Sequence, residues 1–166
     1  MTFLLRAVDA ISRAAAYLAA ALVAYCAVGM VVDVSMRYVF NETVFWLQET
    51  ITFAFGSAMF LGAPYTLQKS AHVRIDVLFS RLSPRRQALT DVCTFIFFFF
   101  FVGAIIWYGW DDALMSWDFN ERTETVWGPV IWPYKFLLVA SCILLFLQGC
   151  AQLVRNFDTV RGKDAR

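Results

Sequence analysis

Four stretches of this chain run for about 20 residues or more with almost no charge, and that pattern limits the possible folds more than any other feature. A helix rises about 1.5 Å per residue, so roughly 20 apolar residues cross a hydrocarbon core about 30 Å thick. The runs are Ala14 to Met36, interrupted by Asp33; Val44 to Gln68, interrupted by Glu49; Val92 to Trp110, uncharged and carrying five phenylalanines from Phe97 to Phe101; and Val130 to Val154, with Lys135 near its start. Hydrophobic residues make up 60% of the 166 positions, above the roughly 45–50% of soluble domains, and nothing is left over for a soluble domain. The chain reads as one all-α membrane domain over residues 1–166, with transmembrane helices at 14–36, 44–68, 84–110 and 130–154.

Arg6 and Arg13 precede the first run, as they would in a secretory signal. A signal core spans only about 7–15 residues before a small-residue cleavage site. Here the run is longer and ends at Asp33 and Arg37, so it is read as a membrane anchor. Cys26, Cys93, Cys142 and Cys150 all fall inside the runs without C-x-x-C spacing and read as small buried hydrophobes.

The basic residues set the orientation, because lysine and arginine accumulate on the cytoplasmic side. Arg6 and Arg13, then Lys69, Arg74, Arg81, Arg85 and Arg86, then Arg155, Arg161, Lys163 and Arg166 fall on one side; only Arg37, Arg122 and Lys135 fall on the other, together with Asp111, Asp112, Asp118, Glu121 and Glu124. Both termini are therefore expected inside, and the acidic connection outside. All six tryptophans, Trp46, Trp107, Trp110, Trp117, Trp127 and Trp132, gather toward that outer side. Interfacial anchoring is the favoured reading of this belt, and a surface that meets another protein is the alternative.

Between the second and third runs, Ile75, Leu78, Phe79 and Leu82 recur at helical spacing while Asp76, Ser80 and Arg81 fill the other face. This predicts a short interfacial helix over 75–82 on the cytoplasmic membrane surface. Ser83-Pro84 then supplies a cap and a first-turn proline, so the third helix is expected to start near Pro84.

Enzyme and cofactor readings fail on inventory. A haem-bearing anchor needs axial ligands, and the single histidine, His72, sits at a membrane edge. His72 and Asp76 lie four apart, but two ligands do not make a metal site. Asp33 and Arg37 read as a local pair one turn apart. Glu49 has no basic residue within four positions, so its partner is Arg37 across the turn, Lys135 on the fourth helix, or a second protein. A proton relay would need further ionisable groups deeper in the membrane, and the runs supply none, which points to an accessory subunit rather than a channel or pump.

Taken in order, Arg37-Tyr38-Val39-Phe40, Trp46, Glu49, Gly62-Ala63, His72-Val73-Arg74-Ile75-Asp76-Val77, Trp132-Pro133-Tyr134-Lys135 and Gln148 resemble the DctQ-like small membrane subunit of tripartite ATP-independent periplasmic (TRAP) transporters. One departure is Gln48, where the family often has a second acid before the one matching Glu49. The resemblance implies a multi-pass protein of the bacterial inner membrane that acts as a fixed scaffold. Its implied partners are a large DctM-like membrane subunit, a DctP-like periplasmic substrate-binding protein and the lipid bilayer, with no nucleic acid and no cofactor. The implied activity of the complex is sodium-driven uptake of a small organic acid or related solute. Arg37, Trp46, Glu49, His72, Asp76, Trp132 and Lys135 are the candidate interface or structural residues. The rival readings are a membrane anchor for a respiratory enzyme and a small stand-alone channel or transporter.

Overall fold

The computed structural model describes residues 2–69 and 84–160, and within them the chain forms four helices and no strand. They are α1 (Thr2–Val39), α2 (Phe45–Gln68), α3 (Pro84–Asp118) and α4 (Trp132–Val160). The helix expected over 75–82 lies outside the described residues. Three helices are long and apolar enough to cross a membrane, over Leu5–Val39, Thr94–Asp118 and Trp132–Val154. At 24 residues α2 has sufficient length, but Gln48, Glu49, Thr50, Thr52, Ser57, Thr66 and Gln68 dilute its apolar content.

Three helices overrun the apolar stretches that predicted them. Helix α1 begins at least twelve residues before Ala14 and spans 38 residues, about 57 Å, far more than the hydrocarbon core requires. No glycine or proline interrupts residues 2–13, and Ser12 is completely buried, so packing holds this extension. Likewise α3 continues past Trp110 to Asp118, which places Asp111, Asp112 and Asp118 on a helix rather than in a loop. Ala113 and Ser116 on that extension are buried. Helix α4 continues past Val154 to Val160.

The helices make an open arrangement rather than a closed bundle. Helix α2 packs on α1 and on α4; α4 also carries α3 and touches α1, while α3 has no substantial contact with α1 or α2 among the described residues. Helix α2, which is not among the three apolar enough to cross a membrane, is thus packed against two neighbours. Its buried residues include Leu47, Ile51, Ala54, Ser57, Ala58, Leu61, Pro64 and Leu67. Three of its hydroxyls are also satisfied within the helix, because Thr50, Thr52 and Thr66 donate to the carbonyls of Trp46, Gln48 and Gly62 one turn earlier.

Lipid tails are as apolar as leucine, so close van der Waals packing between small residues replaces the usual hydrophobic drive. Ala19 meets Ala58 and Leu61, and Cys26 meets Leu47, Ile51 and Ala54. A Cβ at Gly29 would lie 3.0 Å from the Ile51 side chain. Between α3 and α4, Phe99 stacks edge-on to Phe146 at 4.9 Å, and Gly149 leaves room for Phe98. The other side of α3 presents Ile96, Phe97, Phe100, Phe101 and Trp107, a surface suited to lipid or to another helix.

Candidate functional site

The connection between α3 and α4 is an ordered structure, and its order starts from a helix cap. Asn120 takes the left-handed conformation at φ 47°, with Asn120 N–H donating to Trp117 O (3.1 Å) and Glu121 N–H to Ser116 O (3.0 Å). This Schellman-type ending turns the chain back toward α4. Residues 121–131 then pair antiparallel, with Thr123 N–H on Pro129 O and Ile131 N–H on Glu121 O, both at 3.0 Å, around a bridge between Arg122 and Val130. Gly128, at φ 60°, supplies the return bend.

Lys135, in the first turn of α4, fastens this loop. Its Nζ lies 2.8 Å from Glu121 Oε2 and 2.9 Å from Asp112 Oδ2, so one cation joins α3, the loop and α4. The Lys135 ammonium holds the Glu121 carboxyl below the usual carboxylate range. An aromatic group lies beside it: Trp132 meets Trp117 at 4.3 Å, and Phe136 packs edge-on to Trp110, Trp117 and Trp132 at 6.1 to 6.4 Å. Tyr134 turns the other way, toward α2, with its ring 5.3 Å from Phe53 and its hydroxyl over Gly56.

A second polar group ties α1 to α4 at the opposite end. Gln148 is completely buried; its Nε2 donates to Asp9 Oδ1 at 3.1 Å, and its Oε1 accepts from Ser12 Oγ at 3.5 Å. An amide in an apolar span requires such partners, because an unmet polar group in hydrocarbon costs several kcal/mol. Asp9 and Ser12 were not visible as candidates in the sequence because they precede the apolar run. Their i, i+3 spacing on a continuous helix is the signal that would have found them.

The sequence candidates separate in the structure. Arg37 Nη2 pairs with Asp33 Oδ2 at 3.0 Å, within α1. Trp132 and Lys135 belong to the α3–α4 end, whereas Trp46 on α2 is 52% exposed. His72 and Asp76 lie outside the described residues. Glu49 meets neither of the cations proposed for it: both are engaged elsewhere, and its Oε2 is shut off from solvent without a hydrogen-bond partner. On insertion scales such a charge costs about 2.5–3.5 kcal/mol at the membrane centre and less near the ends.

Long apolar helices, small-residue packing between them and charges gathered at their ends define a multi-pass helical membrane protein. Residues 26–159 match the family described as "Tripartite ATP-independent periplasmic transporters, DctQ component", and the chain belongs to that family. It is 25% identical over 122 residues to the isethionate TRAP transporter permease protein DctMQ of Oleidesulfovibrio alaskensis, an alignment covering 70% of this chain and 19% of that protein. It is 27% identical over 139 residues to the C4-dicarboxylate TRAP transporter small permease protein DctQ of Vibrio cholerae, covering 69% of this chain and 59% of that protein. The chain is therefore a small permease subunit of the TRAP type, a bacterial inner-membrane transport component and not an enzyme.

Proposed function

We propose that this subunit is the fixed scaffold of a tripartite importer, holding a DctM-like large subunit that moves the substrate and helping to present the complex to a DctP-like periplasmic binding protein. The observation that carries the reading is the distribution of charge. Residues 14–32, 50–68, 92–110 and 136–154 contain no aspartate, glutamate, lysine or arginine, so no chain of ionisable groups crosses the helices. The scaffold reading also fits the DctMQ relative, in which the matching stretch is 19% of a longer permease.

In this reading α2 is a fourth span, sheltered by α1 and α4. Both termini are cytoplasmic, following the bias of basic residues, and the α3–α4 loop faces the periplasm. Trp46 and Trp132 anchor that face, and Arg37 and Lys135 fix its turns. Isethionate and C4-dicarboxylates, named for the two relatives, are small organic anions, which supports a solute of that class; in this reading a sodium gradient drives its uptake.

Reconstitution tests the proposal. The chain alone in liposomes should give no uptake under any ion gradient. With the large subunit and binding protein it should support uptake that requires an inward sodium gradient, and omitting it should abolish that uptake while the binding protein's affinity stays unchanged. Full uptake by the other two components would overturn the scaffold role.

A further inference from the structure

Glu49 lies one turn into α2, and among the described residues no hydrogen bond or ion pair reaches it. The two cations within plausible reach by sequence are committed. Arg37 is held by Asp33 at 3.0 Å, and Lys135 by Asp112 at 2.9 Å and Glu121 at 2.8 Å. Moving Lys135 to Glu49 would abandon two carboxylates to satisfy one. A carboxylate with a purely internal role would have an internal donor, as Asp9 has in Gln148 Nε2.

The surroundings of Glu49 are open to another protein. Phe45 and Trp46 are each more than half exposed, and Gln48 and Thr52 are exposed on the same two turns. Charge complementarity then identifies the occupant. Resting on the scaffold reading, we propose that Glu49 is the counter-charge for an arginine or lysine side chain of the large membrane subunit, seated against the first turns of α2. Arginine and lysine carry their charge on a long apolar stem that can follow the helix surface below headgroup level. A lipid amine stays with its phosphate at the interface.

The test compares the unchanged chain with Glu49→Gln and Glu49→Lys, each co-expressed with the large subunit and purified through it, and also purified alone. Recovery of the complex should fall roughly tenfold or more for Glu49→Gln and further for Glu49→Lys, because a desolvated cation on the partner is left unpaired or opposed. The isolated chain should melt at the same temperature in all three forms, since Glu49 has no partner within it. Suppressors of Glu49→Lys that restore uptake should change a basic residue of the large subunit to an acidic one. Equal recovery of all three complexes would overturn the proposal, as would a loss of melting temperature in the isolated variants matching the loss of complex. Loss of the wild-type complex on exchange from phosphatidylethanolamine into phosphatidylcholine nanodiscs, with no effect of Glu49→Gln in phosphatidylcholine, would assign the cation to lipid and overturn it too. If the unchanged chain fails to co-purify with the large subunit, the scaffold reading itself fails.

Discussion

Gln148 and Asp9, 139 positions apart in the chain, meet through a hydrogen bond of 3.1 Å from Nε2 to Oδ1 that joins the middle of α4 to the N-terminal part of α1. The bond lies where α1 extends beyond its apolar run, so it explains why that extension stays helical and packed. Interhelical hydrogen bonds in membranes average only about 0.6 kcal/mol, with a maximum near 1.7.

Gln148→Leu should therefore lower stability modestly, by roughly 0.5–2 kcal/mol, while keeping the volume filled. Gln148→Glu should do more damage, because it sets a second carboxylate against Asp9. Thermal unfolding in detergent ranks the two. A Gln148→Glu protein as stable as the parent would show that the contact carries no weight.

The loop clasp should respond to acid. The Lys135 ammonium depresses the Glu121 pKa in the folded loop, so the stabilisation is fully present above the ordinary glutamate value and is lost as the pH falls through the lower folded one. Tryptophan fluorescence, reporting Trp117 and Trp132, should change across that acid range, and Glu121→Gln should abolish the step. An unchanged acid titration in Glu121→Gln would assign it to another group.

Lys135→Met should loosen the loop more than it destabilises the protein. Its partners Asp112 and Glu121 are 59% and 44% exposed, and ion pairs so open to solvent contribute little to global stability. Limited proteolysis within 119–131 should accelerate while the melting temperature moves little. Unaltered cleavage would mean that the aromatic contacts alone hold the loop.

Gly56→Ala should disturb the contact between α2 and α4, since the new Cβ would overlap the Tyr134 hydroxyl and lie 3.1 Å from its Cζ. Overpacking of this kind costs about 1–3 kcal/mol. Adding Tyr134→Phe should recover part of the loss, because the atom nearest the new methyl is removed. Strict additivity of the two changes in thermal unfolding would disprove the coupling.

Topology can be read by single-cysteine labelling in a cysteine-free background with a reagent that does not cross membranes. Position 118 should label from outside and position 85 only after permeabilisation. The opposite pattern would reverse the orientation drawn from the basic residues.

The amino-acid sequence by itself determined the membrane class, the existence of the four helices and, through ordered motifs from Arg37 to Gln148, the family. Each of these rests on local quantities: apolar run length, charge per segment and residue type at fixed spacing. The helix ends were less legible, because an apolar run reports only the stretch that suits lipid. Residues 2–13 and 111–118 are helical through packing and the absence of breakers rather than through hydropathy. Only the tertiary structure decided that α2 packs against both α1 and α4, that Lys135 closes on Asp112 and Glu121, and that Glu49 is left without a partner among the described residues. The physical reason is that, unlike the i,i+4 pair of Asp33 and Arg37, an ion pair between elements forms with whichever charge the folded backbone brings within about 4 Å, and that choice depends on how separate helices pack.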